Sequence, residues 1–180
     1  LTSLHQSPKE PAALPAREEA RTLMVGKLSP DEIERVLRTE MIAHLGCHAG
    51  GRTYVVPITY AYEDDYVYGH TAEGLKLAMM RENPEVCVEV EKIDGPAHWR
   101  SVIAWGTFEE LTGPDAAHAL QVLLERYFSR EASETARGPL GPHRQGAVHP
   151  DAHLYRIHLT EKTGRFEDGA RKHPRPTLVR

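Results

Sequence analysis

The stretch Tyr68-Gly-His-Thr-Ala-Glu-Gly-Leu-Lys76 carries the most chemistry, because a β-patterned run ends at His70 and a helical pattern opens at Thr71. The first amides of a helix have no partners inside it, and together with the helix dipole they make an anion site. Lys76, one turn in, adds a full positive charge, and Gly74 lets a phosphate approach the backbone closely. The same residues also fit an ordinary capped helix, with Thr71 as the cap and Lys76 in solvent. A second stretch is Trp99-Arg-Ser-Val-Ile-Ala-Trp-Gly106, where Arg100 and Ser101 interrupt an apolar strand. A half-buried arginine needs an anionic or carbonyl partner, from the core or from a ligand. A solvent-facing arginine on the outer face of a barrel fits equally well.

Eleven histidines form a third group. His44 and His48, and again His149 and His153, stand four apart. That spacing puts two imidazoles on one face of a helix but far apart along a strand, and neither pair encloses a Glu as general base. No metal site is expected from them. The chain has no Gly-rich dinucleotide fingerprint, no phosphate loop and no nucleophile elbow around a serine, so nucleoside triphosphatase and serine hydrolase chemistry are not supported.

The elements that must position these residues read as follows. Ser29-Pro30-Asp31-Glu32 has the form of a capping box that opens a short helix, with Ile33, Val36 and Leu37 on one face and an end near Thr39. Met41–Cys47 and Arg52–Tyr62 read as strands around a Gly50-Gly51 turn. Pro57 inside the second strand marks an edge, a bulge or a place where something else meets the backbone. Glu63-Asp64-Asp65 turns the chain into a strand from Tyr66 to His70. A helix is expected over Thr71–Asn83, with Leu75, Ala78 and Met79 on its apolar side, stopped by Asn83-Pro84. Strands follow at Glu85–Glu91 and His98–Leu111. A helix opened by Gly113-Pro114-Asp115 carries the stripe Ala116, Leu120, Leu123, Leu124 and Tyr127. Ser129–Pro150, rich in Gly and Pro, reads as a long loop or lid. A last strand covers His153–Thr160 and leads to Thr163-Gly-Arg-Phe-Glu167.

Residues 1–20 read as a mobile arm, 21–168 as the folded domain and 169–180 as a loose basic tail. Apolar residues make up 40% of the 180 and charged residues 27%, an ordinary globular balance. The net charge of −4 offers no footprint for nucleic acid, and no apolar run approaches a membrane span. The opening residues contain no apolar signal core, and Cys47 and Cys87 have no redox or metal spacing. A cytoplasmic protein with inert thiols is expected. The fold class that follows is mainly β with flanking helices, a small antiparallel barrel of five or six strands.

Four motifs in order resemble the flavin-binding split-barrel superfamily named for pyridoxamine 5′-phosphate oxidase, in particular its branch related to nitroimidazole-resistance (Nim) proteins. They are Pro57-Ile58, His70-Thr-Ala-Glu-Gly-Leu-Lys76, Asn83-Pro-Glu-Val-Cys87 and Arg100-Ser-Val-Ile-Ala-Trp-Gly106. The closing Leu154-Tyr-Arg-Ile and Thr163-Gly-Arg165 are similar to that family's last strand. The resemblance implies a six-stranded split barrel that forms a homodimer, with FMN, less readily FAD or haem, in the grooves between subunits. It implies a phosphate site at Thr71 with Lys76 assisting, and His70 beside the flavin ring as the proton donor. Backbone groups of Val56, Pro57, Ile58 and Thr59 would meet the ring edge, and Ser101 and Val102 would approach from the neighbouring strand. Arg100 would stabilise negative charge on the reduced ring. The function implied is an oxidoreductase that takes electrons from a reduced nicotinamide and passes them to a nitroaromatic or quinone. The alternative is a haem- or flavin-binding carrier or sensor without turnover. The basic residues with which pyridoxamine phosphate oxidases grip their substrate near the chain end have no counterpart here.

Overall fold

Ser29 opens the first helix as its sequence requires. In the computed structural model, which describes residues 24–131 and 152–169, the Glu32 amide donates to the Ser29 hydroxyl at 3.4 Å. The Ser29 amide donates back to the Glu32 carboxylate at 2.9 Å. Helix α1 (Pro30–Thr39) buries Ile33, Val36 and Leu37, the face expected from their spacing. The strands are β1 (Met24–Lys27), β2 (Ile42–Ala49), β3 (Arg52–Thr59), β4 (Ala61–Glu63), β5 (Tyr66–Thr71), β6 (Glu85–Gly95), β7 (His98–Glu110) and β8 (His153–Asp168). Helices α2 (Leu75–Glu82) and α3 (Gly113–Glu131) complete the order.

All the strand pairings are antiparallel, in the order β3-β2-β6-β7-β8-β5-β4, with β1 added along β8. β3 and β4 stand at opposite ends of this order, yet only Tyr60 separates them in the chain. The sheet therefore curls until its two edges meet at that residue. Tyr60 is fully buried there and donates its hydroxyl hydrogen to the Leu37 carbonyl at 2.9 Å, which ties the seam to α1. The barrel interior is filled by alternate residues: Leu45 on β2, Val86, Val88 and Val90 on β6, Val102 and Ala104 on β7, Tyr155 and Ile157 on β8. α3 covers a second, smaller cluster built on Ala61, Tyr68, Ala119 and Leu123.

The expected antiparallel barrel with outer helices is present, with differences. Among the described residues the sheet has eight strands rather than six. Arg52–Tyr62 breaks at Tyr60 because the chain crosses from one sheet edge to the other. The last strand does not stop at Thr160 but continues to Asp168, since it pairs β7 along nearly its whole length. β1 carries too short a pattern to stand out. The Asp64-Asp65 turn takes positive φ at both residues (47° and 67°), the conformation a two-residue hairpin prefers. The Asp65 carboxylate is held there by Lys162 and Tyr62. The arm over 1–20, nearly all of the 129–150 loop and the tail beyond Gly169 lie outside the described residues, and so does His149.

Candidate functional site

Helix α2 begins at Leu75, not at Thr71. Its first internal hydrogen bond runs from the Ala78 amide to the Gly74 carbonyl, at 3.0 Å. Thr71 is instead the last residue of β5, and its hydroxyl donates to the carbonyl of Ala72, so it caps nothing. The pairing of β5 with β8 runs through Thr71 and holds it extended, which overrides its preference for a cap. The open amides of the helix therefore belong to Leu75, Lys76 and Leu77, and no side chain caps them. Gly74 is extended at φ 166°, and a Cβ there would meet nothing, so the turn is open to solvent. The buried face is Leu77, Met79 and Met80; Leu75 and Ala78 face outward.

Lys76 does not extend into solvent. It is half-buried, its ammonium lies 5.9 Å from the centre of the Tyr155 ring, and it meets no carboxylate among the described residues. Burial pushes its pKa below the ordinary lysine value. His70, at the end of β5, is also half-buried. Burial first, and the Lys76 charge second, push its pKa down, so the ring is neutral near pH 7. The Tyr155 hydroxyl is buried without a hydrogen-bond partner. A Cβ on Gly69 would overlap the Tyr155 ring, so this strand position has to be glycine. On the other side of the seam the Tyr127 hydroxyl of α3 donates to the Thr59 hydroxyl at 2.9 Å. A half-dehydrated ammonium with no carboxylate partner among the described residues, carried by the first turn of a helix whose amides are uncapped, fits a phosphate ester.

A second group lies on the outer face of β3-β2-β6-β7. Pro57 pairs with His44, His44 with Glu89, and Glu89 with Ile103. The Ser101 hydroxyl donates to Glu89 at 2.7 Å, and His44 Nδ1 lies 3.2 Å from the other oxygen of the same carboxylate. This chain borders a groove of about 580 Å³ lined by His44, His48, Val55, Cys87, Glu89 and Trp105, among others. Ile42, Val55, Ile103 and Trp105 are large apolar residues exposed on this face. His44 and His48 turn to different partners, Glu89 and Thr53. His44, Glu89 and Glu91 bring ligand atoms within 4.8 Å of one another, and the His44–Glu89 contact already uses that space. Burial raises the pKa of both thiols, and Cys87 is half-exposed at the groove rather than in the core.

The sequence-derived site thus divides. His70, Thr71 and Lys76 cluster at the α2 end of the barrel. Val56 and Ile58 point inward, while Pro57 and Thr59 are exposed. Val102 is fully buried, and Ser101 reaches the groove only through its hydrogen bond to Glu89, which lines it. Arg100 pairs with Asp168 at 3.6 Å. It lies near the start of β7, whereas Glu110, at the strand's other end, contacts the α2 side. About ten strand residues separate them, on the order of 30 Å. One copy of the chain does not bring Arg100 and Lys76 to a common ligand. The sequence reading did not single out Glu89, weighed His44 only as a metal ligand and Trp105 only as part of its strand; the outward parity of Ile103 and Trp105 in an otherwise alternating strand was the available signal for the groove.

Comparison with known proteins gives a consistent placement. The family described as pyridoxamine 5′-phosphate oxidase matches residues 29–166. An uncharacterized protein of Rhizobium meliloti is 27% identical over 144 residues, covering 79% of this chain and 95% of the relative. The crystal structure of an FAD-binding protein from Mesorhizobium loti is 30% identical, with a TM-score of 0.62 over 81% of this chain and 99% of that one. An FAD-binding protein from Mycobacterium smegmatis shares the fold at 22% identity, with a TM-score of 0.58 over 80% of this chain and 100% of that one. A candidate 5-nitroimidazole antibiotic resistance protein from Bacteroides thetaiotaomicron shares it at 18%, with a TM-score of 0.61 over 81% of this chain and 89% of that one. With its antiparallel barrel, three helices among the described residues and a match spanning most of its length, the chain belongs to the pyridoxamine 5′-phosphate oxidase family of flavin-binding split barrels.

Proposed function

We propose that the chain is a flavin nucleotide-dependent oxidoreductase that works as a homodimer. The observation that carries this reading is Lys76, a half-buried cation in the first turn of a helix whose amides no side chain caps, and without a carboxylate partner among the described residues. The flavin supplies two-electron chemistry when bound, and the protein supplies binding, orientation and electrostatics. Lys76 and the Leu75–Leu77 amides hold the phosphate next to the ribityl chain. Both FMN and FAD carry a phosphate there; the sequence points to FMN, and the name of the Mesorhizobium loti relative points to FAD. His70, neutral and half-buried, presents a ring nitrogen for proton transfer at the ring edge. A reduced nicotinamide is the proposed donor, and a nitroaromatic or quinone the acceptor.

The division of the site supports the dimer. Arg100 and Ser101 reach the same flavin as Lys76 only if a second copy supplies them. The exposed Ile42, Val55, Ile103 and Trp105 on the outer sheet face offer an apolar surface for that copy.

The test is the visible spectrum of the purified protein before and after adding FMN or FAD, with mass analysis of whatever cofactor is released. The expected result is a flavin double band, quenched in fluorescence, bleached by reduced nicotinamide and restored when the acceptor is added. No flavin band after either addition overturns the reading, and a Soret band moves the protein to haem binding. Trp105→Glu should give a monomer in sedimentation and lose the flavin; a monomer that retains it contradicts the shared site.

A further inference from the structure

Lys76 is half withdrawn from water, and the titratable groups beside it bring no anion. Burial keeps the Cys47 thiol protonated, and it keeps the His70 ring neutral. What the structure sets against the ammonium is the Tyr155 ring, whose centre lies 5.9 Å from Nζ. The face of an aromatic ring carries the negative part of its quadrupole, and it attracts a cation within about 6 Å of the centre. Three strands place the ring for this contact. Tyr155 points from β8 into the barrel and is fully buried. Its partner across β5 is Gly69, and a Cβ at that position would overlap the ring. Phe108 on β7 backs the ring, with centres 5.6 Å apart and planes tilted by 45°. The Tyr155 hydroxyl is buried without a hydrogen-bond partner. Packing against Gly69 and Phe108, not hydrogen bonding, therefore fixes where the ring lies.

We propose that Tyr155 is a positioning residue for Lys76: the face of its ring holds the ammonium in the first turn of α2, and Gly69 makes room for that ring. The benefit to a bound phosphate rests on the flavin reading above, while the hold on Lys76 does not. A lysine carries its charge on a flexible four-carbon stem, and ordering that stem when a ligand arrives costs affinity. Held over the ring, the ammonium is ordered as the barrel folds. A carboxylate in the same place would hold the charge more firmly, but it would compete with an incoming phosphate for it. A ring face leaves the charge uncompensated and open to the ligand. The separation of 5.9 Å is near the outer limit of such a contact, so its effect is modest.

The experiment separates the face of the ring from its hydroxyl and its shape. Tyr155 is replaced by Phe and, in a second protein, by pentafluorophenylalanine, whose fluorines draw charge from the face while nearly keeping the shape. The preference for FMN over riboflavin is measured in each. Tyr155→Phe should keep the wild-type preference, and the pentafluoro form should lose about threefold of it. In a Lys76→Met background the two forms should not differ. Equal preferences in the two forms with Lys76 present overturn the proposal; if both fall below the wild type, the role belongs to the hydroxyl. A difference that persists in Lys76→Met also overturns it. Proton magnetic resonance of the flavin-free protein is the arm that needs no ligand. The Lys76 methylene protons next to the ammonium should lie upfield of those of the exposed Lys92, and coincident shifts overturn the contact. If FMN binds none of the proteins, the flavin reading fails, and the resonance arm still judges the hold on Lys76.

Discussion

Two lysines, both largely withdrawn from water, show opposite electrostatics. Lys162 on β8 donates to Glu34 of α1, to Asp65 of the β4–β5 turn and to the Tyr62 hydroxyl. Burial alone would lower its pKa, but those three partners outweigh it and hold the pKa above the ordinary lysine value. Burial likewise acts upward on Glu34, yet the Lys162 and Tyr62 hydrogen bonds keep its carboxyl below the usual range. Tyr62 itself is pushed up to about 12, chiefly by burial. Lys76 has the same burial problem without the solution. A charge that folding has paired serves the fold, and a charge left dehydrated and unpaired awaits a partner from outside.

Replacing each lysine in turn is the way to break this contrast. The largest effect is expected from Lys76→Met: FMN affinity should fall about 10- to 100-fold, the worth of one or two charge-assisted hydrogen bonds, with no loss of thermal stability. A clear drop in melting temperature with unchanged affinity would make Lys76 an ordinary structural residue. Next is Lys162→Met, which strands Glu34 and Asp65 and should cost about 1–2 kcal/mol after allowing for their solvent contact, with affinity for flavin preserved. Urea unfolding measures it.

The pH dependence sharpens the same comparison. The Glu34 and Asp65 pKa values are lowered by folding, so their contribution is present above the unfolded carboxylate range and fades as pH falls through it. That of Lys162 is raised, so its contribution is present below the unfolded lysine value and is lost as pH climbs past it. Lys76 has the opposite sign: the unfolded chain binds its proton more tightly, so this residue costs stability at neutral pH and less on the alkaline side. Lys162→Met should flatten the acid limb of a stability–pH curve, and Lys76→Met should leave that limb unchanged. The smallest effect is expected from Arg100→Ala, a shift of the bound-flavin potential to more negative values in an intact dimer. An unchanged potential removes Arg100 from the ring environment.

The paired lysine was invisible in the sequence, because Glu34, Asp65 and Lys162 come from three distant segments that only the barrel brings together. The unpaired one could be singled out, since a strand end, a glycine and a lysine within nine residues fit an anion site, but the same residues fit a capped helix with Lys76 in solvent, and its burial was not legible. The capping box at Ser29, the buried row Val86-Val88-Val90 and the α3 stripe were local patterns and stood out for that reason. The start of α2 was misplaced by four residues because pairing of Thr71 with β8 outweighed its capping preference. Separation of Arg100 from Lys76 could not be read either: both sit in motifs of one family pattern, and motif order carries no information about which end of a barrel each reaches.

The most direct measurement compares the affinities of FMN and riboflavin for the wild type and for Lys76→Met. The two ligands differ only in the phosphate. The wild type should prefer FMN by about 10- to 100-fold, and the preference should collapse in Lys76→Met while riboflavin affinity stays the same. An equal preference in both proteins would contradict the assignment of Lys76 to the flavin phosphate.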